Sequence, residues 1–464
     1  MFTKNTELVG EVVSYGSEGE GILRTEDGTV FVPFCLVGER VRAKILKAKG
    51  NIAYGKLLEV LSPSPEREVP RCSAFYQCGG CALQHMSYAA QLDFKRNQVR
   101  SALKKLGNVD AEVLPVVPCD FPFGYRNKLQ LPVGVRDGKT VVGFYAERSH
   151  RIVPIDDCPV TAWAKEVIAL VNEYVSLCGV PGYDEETGRG VLRHVVVREI
   201  AGKYIVTVVT ATKKLPKADK LISLLKGTFS EFTLWQNVNA ERSNVIFGKE
   251  FSLLYGEGTF SDEESGIVYS AGANTFVQVN RNIREKLYLA ALEKVREDAV
   301  VVDCYAGGGL LTAMLAKKCK RAYGIEIVPE AVACADALKR ENGLLNLENI
   351  CGKVEEKLPA LMNSLQGEDV VLTVDPPRKG LERSVVETIL SSGVKEIVMI
   401  SCNPATLARD LGLLTGCLRD ENGQLVKGDG HGVYEICSVQ PFDMFPQTKH
   451  VETLVALKLK NYNR

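Results

Sequence analysis

Residues 298–311 read "DAVVVDCYAGGGLL". An unbroken apolar run without polar alternation is the pattern of a strand buried on both faces. The glycines close it in a tight turn, and "LLTAMLAKK" (310–318) continues as a helix. The unit recurs downstream: "RAYGIEI" (321–327) leads into the helical "PEAVACADALKRENG" (329–343), and "DVVLTVDPPRKG" (369–380) and "VKEIVMISCNP" (394–404) are further strands. Strands alternating with helices define a doubly wound, mostly parallel α/β sheet. Just before it, "RNIREKLYLAALEKV" (281–295) carries an apolar face at Ile283, Leu287, Ala291 and Val295, the period of a helix.

Upstream the texture differs. Residues 6–60 alternate apolar and polar side chains between Gly16-Ser17-Glu18-Gly19 and Asp27-Gly28 turns, which predicts a small β-barrel. "SPSPEREVPRC" (62–72) is a Pro/Ser linker. From about 125 to 260, strand-like runs such as "KLQLPVGV" and "KYIVTVVT" surround helical stretches near 161–177 and 217–226, an α+β pattern. The expected division is a barrel at 1–61, a central domain at 62–265 and the α/β domain at 266–464. A chain of 464 residues is long enough for such a multidomain arrangement.

Composition excludes little. Lys+Arg and Asp+Glu both number 57, so no net charge advertises a polyanionic partner, although local patches still can. The start "MFTKNTELVGEVV" lacks a basic segment leading into an apolar one, and no stretch approaches a membrane span, so a cytoplasmic protein is expected. Fourteen cysteines in a reducing compartment are thiols, metal ligands or catalysts rather than disulfides.

In doubly wound sheets the ligand lies beyond the carboxyl ends of the strands. Gly307, Gly308 and Gly309 permit close backbone approach, and Glu326, about twenty residues on, can accept hydrogen bonds from both ribose hydroxyls of an adenosine. The plainer alternative for Glu326 is a solvated strand end. "AGGGLL" is not the G-x-G-x-x-G of dinucleotide sites, and Asp375-Pro376-Pro377 ends the third strand as in many methyltransferases. The pattern favours S-adenosylmethionine over a dinucleotide.

"CSAFYQCGGCALQH" (72–85) sets Cys72, Cys78 and Cys81 on one loop in C-x5-C-x2-C spacing, and Cys158 in "IDDCPV" is the best fourth ligand. An iron–sulfur cluster of the [4Fe-4S] kind fits this spacing. Zinc is the alternative, though its four-thiolate sites usually pair two C-x2-C units. The expected role is a scaffold, because methyl transfer needs no electrons.

A strand-end cysteine, Cys402, remains to be explained. Uracil C5 is too weak a nucleophile to take a methyl group unaided; thiolate addition at C6 makes it an enolate, and a base must later remove the C5 proton. "KHVETLVALKLK" (449–460) offers Glu452 as that base, with an ordinary exposed strand residue as the alternative. His450 reads as a surface histidine. An ordinary cysteine is only ~3% thiolate at pH 7, so some lowering of the Cys402 pKa is expected.

These segments together resemble the RNA (uracil-5-)-methyltransferase family over essentially the whole chain. "SCNPATLARD" is similar to its nucleophile motif, implying Cys402, and "HVETL" to its base motif, implying Glu452. "FVQVN", "CYAGGG", "GIEI" and "DPPRKG" resemble its cofactor segments, implying donor contacts at Gln278, Tyr305, Glu326 and Asp375. Cys72, Cys78, Cys81 and Cys158 look like the [4Fe-4S] ligand set of the ribosomal branch, and the barrel resembles the TRAM domain, an RNA-binding module of oligonucleotide-binding type. One departure is Leu310, where many relatives carry a polar residue.

The implied fold is multidomain, a TRAM-like barrel, an α+β domain with an iron–sulfur loop and a C-terminal S-adenosylmethionine-dependent methyltransferase domain. The implied reaction is C5 methylation of a uridine in 23S ribosomal RNA, flipped out of a single-stranded loop. A transfer RNA enzyme and an inactive RNA-binding protein are the competing readings. Arg126, Lys128 and the stretch "FKRNQVRSALKK" (94–105) are candidate RNA contacts.

Overall fold

The computed structural model describes residues 2–417 and 434–460. Five strands, β1 (Glu7–Tyr15), β2 (Gly21–Thr25), β3 (Gly28–Val32), β4 (Arg40–Lys49) and β5 (Ile52–Ser62), close into a barrel in the order β1-β2-β3-β5-β4. Alternation sends Val12, Leu23, Val30, Val41, Ile45 and Ala53 inward. The linker is pinned rather than free: Arg67 donates to both carboxylate oxygens of the fully buried Glu39.

Helix α1 (Tyr88–Leu106) begins where Ser87 accepts a hydrogen bond from Ala90 N. Its buried face carries Phe94, Lys95, Val99 and Leu103. Although α1 lies within 62–265, Val99 and Leu103 join the core of the C-terminal sheet. Lys95, within the stretch read as an RNA contact, is fully buried and ion-paired with Asp443, so it cannot face RNA.

The central sheet uses β6 (Lys128–Arg136), β7 (Lys139–Tyr145), β8 (Ile152–Pro154), β9 (Leu192–Ile200), β10 (Lys203–Thr210), β11 (Phe232–Val238) and β12 (Glu250–Tyr255), ordered β12-β11-β10-β9-β6-β7-β8. Helices α2 (Ala164–Cys178) and α3 (Ala218–Thr228) pack on its Val195, Val197, Val206 and Val208 face. A hairpin, β13 (Phe260–Glu264) and β14 (Ile267–Ala271), follows. Its Ile267, Tyr269 and Ala271 pack with Ile283 and Leu287 of α4 (Arg281–Glu293), so the hairpin spanning residue 265 is bound to the C-terminal core.

That core surrounds β15 (Val300–Cys304), α5 (Leu310–Lys318), β16 (Arg321–Glu326), α6 (Pro329–Glu341), β17 (Leu347–Cys351), α7 (Val354–Ser364), β18 (Val370–Val374), α8 (Arg383–Ser392), β19 (Glu396–Ser401), α9 (Pro404–Leu414), β20 (Tyr434–Phe442) and β21 (Glu452–Leu459). The sheet order is β17-β16-β15-β18-β19-β21-β20. Val300 and Val302 enter one apolar layer and Val301 the other, which is why the strand reads as uninterrupted valine. The first five strands in that order are parallel, and β21 runs antiparallel to β19. Reversal brings the first residue of β21, Glu452, to the edge where the parallel strands end.

Candidate active site

The order of the sheet reverses between β15 and β18, and a cavity of about 750 Å³ opens at their carboxyl ends. Gln278, Tyr305, Gly307–Gly309, Asp375, Arg378, Cys402, His450 and Glu452 are on its wall. The turn after β15 takes a sharp path. Tyr305 has φ 66° and Gly309 φ 81°, and a Cβ at Gly309 would lie 2.7 Å from Ala335 Cβ, so only glycine fits there. Tyr305 Oη is buried without a hydrogen-bond partner among the described residues. A buried hydroxyl of this kind is costly unless a ligand satisfies it.

Behind the wall, Asp303 accepts the hydroxyls of Thr312 and Thr373 at 2.5 and 2.6 Å, tying α5 and β18 to β15. Burial pushes Asp303 up to about 6, and burial together with Asp303 pushes Asp375 up to about 7. Glu326 is not on the cavity wall. Its oxygens accept from the Gly307 and Val328 amides at 2.9 and 2.8 Å and so hold the glycine turn in place. The cavity's size, the orphaned Tyr305 hydroxyl, the glycine turn and the carboxyl of Asp375 together fit an adenosyl methyl donor.

The register Ser401↔Thr453 sets Cys402 opposite Glu452 on the adjoining strand. Burial, then Asp375, pushes Glu452 up to about 8, with Arg378 opposing. Cys402 moves contrary to the sequence expectation. Burial, then Glu452 and Asp375, pushes it up to about 11, and Arg378 recovers only part of that rise. A half-buried thiol facing two carboxyls is not a thiolate at rest.

Arg378 was not singled out in the sequence, although "DPPRKG" contained it. Arg378 is held by its carbonyl, which accepts from Asn403 Nδ2 at 3.1 Å and Thr406 Oγ1 at 3.3 Å. Asn403 meanwhile caps α9, accepting from Ala405 N at 3.0 Å. The loop after β18 is therefore fastened to the loop bearing Cys402. His450 is not the surface residue expected; it is half-buried on the cavity wall, and burial, then Arg378 and Lys449, lowers it to about 4, leaving a neutral imidazole.

Arg378, Cys402 and His450 also border a second, open groove of about 930 Å³. Its far walls are the barrel (Tyr15, Glu18, Arg24) and the exposed flank of α1 (Asn97, Gln98, Lys105). Gln98 Nε2 donates to Ser17 O at 2.7 Å, and Lys449 pairs with Glu18, so the barrel's first turn is docked at the mouth. The donor cavity and the groove meet at Cys402.

Cys72, Cys78 and Cys81 share one loop and Cys158 lies on another, and the strand-like bridge between Cys78 and Ala146 joins the cysteine loop to the central sheet. Burial, then Cys81, Cys78 and Cys72 among its neighbours, pushes Cys158 up to about 12; burial likewise pushes Cys81 up to about 11 and raises Cys72 and Cys78. Among the described residues, however, no three His, Cys, Asp or Glu side chains are grouped as a metal-ligand set, so the expected cluster has no assembled ligand shell here. Arg126 and Lys128 are half-buried; Arg126 Nε donates to Lys128 O at 2.9 Å, and burial, then Arg198 and Arg126, lowers Lys128 to about 8.

A Rossmann-like sheet with a paired cysteine and glutamate at its donor cavity, joined to a small barrel, defines a nucleic-acid-modifying methyltransferase. The sequence profile of the tRNA (uracil-5-)-methyltransferase family matches residues 238–460, and that of the TRAM domain matches residues 8–58. Uncharacterized RNA methyltransferases of Clostridium acetobutylicum and Halalkalibacterium halodurans are 39% and 40% identical over 98% and 99% of this chain, covering 97% and 98% of their own lengths. The crystal structure of Pyrococcus abyssi tRNA (uracil-54, C5)-methyltransferase with S-adenosyl-L-homocysteine is 26% identical, with a TM-score of 0.77 over 97% of this chain and 99% of that one. The chain belongs to the RNA (uracil-5-)-methyltransferase family, and its activity is S-adenosylmethionine-dependent methylation of RNA. Coverage of 97% takes in the barrel, which therefore does not separate ribosomal from transfer RNA enzymes.

Proposed function

We propose that this protein methylates C5 of a uridine in 23S ribosomal RNA, with Cys402 as nucleophile and Glu452 as base. The observation that carries the chemistry is the cross-strand opposition of Cys402 and Glu452 where the donor cavity meets the groove. Once Cys402 has lost its thiol proton to solvent, the thiolate adds to C6 of a flipped uracil, moving the C5=C6 π electrons toward C5 and the C4 carbonyl. Gln278, Tyr305 and Asp375, with the turn that Glu326 fixes, would hold S-adenosylmethionine, which would supply an electrophilic methyl group to that carbon and leave as the neutral thioether S-adenosylhomocysteine. Glu452 takes the C5 proton, the C5=C6 bond re-forms and the thiolate leaves. Arg378, the cation that lowers both Cys402 and Glu452, favours their anionic forms.

The transfer RNA reading is favoured by one observation, the full-length likeness to the archaeal tRNA enzyme. Incubating purified ribosomal and transfer RNA with labelled donor separates the two: label in 23S RNA is expected, and label confined to transfer RNA overturns that assignment. A covalent adduct with 5-fluorouracil RNA, absent in Cys402→Ala, distinguishes either enzyme from an inactive RNA-binding protein.

The same reading gives Cys72, Cys78, Cys81 and Cys158 a [4Fe-4S] cluster that joins the cysteine loop to the central domain. It is supported by the C-x5-C-x2-C spacing of the loop and by Cys158, a half-buried thiol that has Cys81, Cys78 and Cys72 as neighbours. Anaerobic purification with iron and sulfide analysis tests it; a colourless, iron-free active protein would remove the cluster from the account.

A further inference from the structure

A separate cavity of about 520 Å³ opens in the central domain between the β7–β8 turn, the end of β6 and the start of β9. Nothing in the methyl-transfer reading uses it. Its floor depends on an irregularity in β9: His194 pairs with Val209, but Leu192 pairs with Thr210, so Arg193 is an extra residue in the ladder. Neighbouring strand residues normally point to opposite faces, and a bulge of this kind re-aims a side chain. Arg193 and His194 consequently both line the cavity, 4% and 8% exposed.

Each retains an unmet hydrogen-bonding atom. Arg193 Nη1 donates to the carbonyls of both Asn239 and Glu241, at 2.7 and 2.6 Å, and Nη2 to that of Ser243 at 3.5 Å, while Nε is buried and has no partner among the described residues; His194 Nδ1 is likewise buried and unpartnered there. A native interior seldom leaves two adjacent polar groups unsatisfied unless a ligand completes them. The Arg193 guanidinium lies 4.6 Å from the centre of the Tyr183 ring, giving a flat apolar and cationic wall. Opposite in chemical sense is Glu185, whose carboxylate is steered by Tyr145 Oη at 3.3 Å and His150 Nδ1 at 2.6 Å. Arg151 completes the rim.

We propose that this cavity binds an unpaired guanine nucleotide of the substrate RNA, a second recognition site apart from the one that receives the target uridine. The proposal rests on the RNA-methylation reading above. A carboxylate matches the N1–H and N2–H donors of guanine, arginine donors match O6 and N7, and the tyrosine–guanidinium wall suits stacking. Acidic and basic groups are mixed in the lining, which suits a base edge better than a bare phosphate. The cavity is also close to the path of the RNA. Arg148, in the same β7–β8 turn as Ser149, His150 and Arg151, reaches within 3.9 Å of Glu18, which borders the groove leading to Cys402.

The test is photo-cross-linking of the full-length protein to 23S and transfer RNA transcripts containing 6-thioguanosine, with peptides mapped by mass spectrometry. Cross-links within 145–151 or 183–194 are expected, and they should disappear when 4-thiouridine replaces the guanine analogue. Cross-links found only around the groove, or equal capture of 4-thiouridine in the cavity, overturn the proposal. Glu185→Gln, at an exposed position, should raise the KM for RNA about tenfold while leaving kcat within about twofold. His194→Phe, which fills the space, should act alike, and unchanged KM in Glu185→Gln counts against the site even if His194→Phe fails to fold. Should no RNA be methylated and no 5-fluorouracil adduct form, the activity reading fails alone, because the cross-link map still decides the cavity.

Discussion

Cys402 stands across the antiparallel β19–β21 ladder from Glu452, one step past the Ser401↔Thr453 pair. Directly opposed residues in such a ladder have Cβ atoms roughly 4.5–5.5 Å apart. In the proposed reaction a planar pyrimidine entering there would meet the thiol and the carboxyl together, and neither group would need repositioning between the two steps.

Separating the two steps is the first expected outcome. Cys402→Ala should abolish both methylation and the covalent complex. Glu452→Gln should lower turnover by at least about 10³-fold, yet accumulate a denaturant-resistant adduct with ordinary uridine RNA, because the methylated intermediate has lost its base. Gel electrophoresis of protein with labelled RNA reads both.

Activity should climb with pH. Glu452 is a base only after losing a proton held until about pH 8, and Cys402 stays a thiol until about 11. The kcat/KM for RNA should rise from pH 6.5 to 9, without the plateau near 7 that ordinary carboxylates would give. A flat profile over that range would contradict the buried, protonated pair.

Arg378→Ala should push Cys402 and Glu452 further up, since the Arg378 guanidinium opposes the rise of both. Alkylation of Cys402 by iodoacetamide, followed by mass spectrometry, should slow about three- to tenfold at pH 8.5, a shift of ~0.5–1 pH unit. Arg378→Lys should recover most of that rate.

The same carboxyl should lower stability at high pH. In the folded chain Glu452 holds its proton to about 8, against an ordinary value of 4.5, so the folded state binds more protons across that window. Its stability relative to Glu452→Gln should be equal below pH 4.5 and decline progressively up to pH 8. At pH 9 Glu452→Gln should unfold several degrees higher, a difference of up to roughly 5 kcal/mol.

Lys95 and Asp443 form a fully buried pair that also receives the Tyr88 hydroxyl on Asp443 at 2.8 Å. Lys95→Met leaves a buried carboxylate unpaired and should cost about 3–5 kcal/mol, read as a lower denaturation midpoint. The double variant Lys95→Met, Asp443→Leu should recover much of the loss.

The α/β domain was legible because its strands are buried on both faces and carry no alternation to misread. Cavity-wall positions Gln278, Tyr305, Asp375, Cys402 and Glu452 followed from strand ends and motifs. Burial was not legible. Lys95 looked like one more cation on a helix, and nothing local announced Asp443, nearly 350 residues away. His450 and the direction of the Cys402 shift were missed for the same reason, since both depend on which charges the fold gathers around them. The cavity beside β9 depends on a register shift that no residue type encodes.

Strand β21 lies between β19 and β20, although β20 precedes it in the chain. Its insertion has a kinetic meaning. Joining Cys402 to Glu452 closes a loop of about fifty residues, and that closure is costlier than the local contacts that build β19 and α9. A folding chain can therefore present the nucleophile on a bare sheet edge before the base arrives. In the proposed reaction, competence to attack uracil and competence to release it would then be acquired at different moments, and the docking of β21 would decide whether the protein turns over or remains bonded to its RNA.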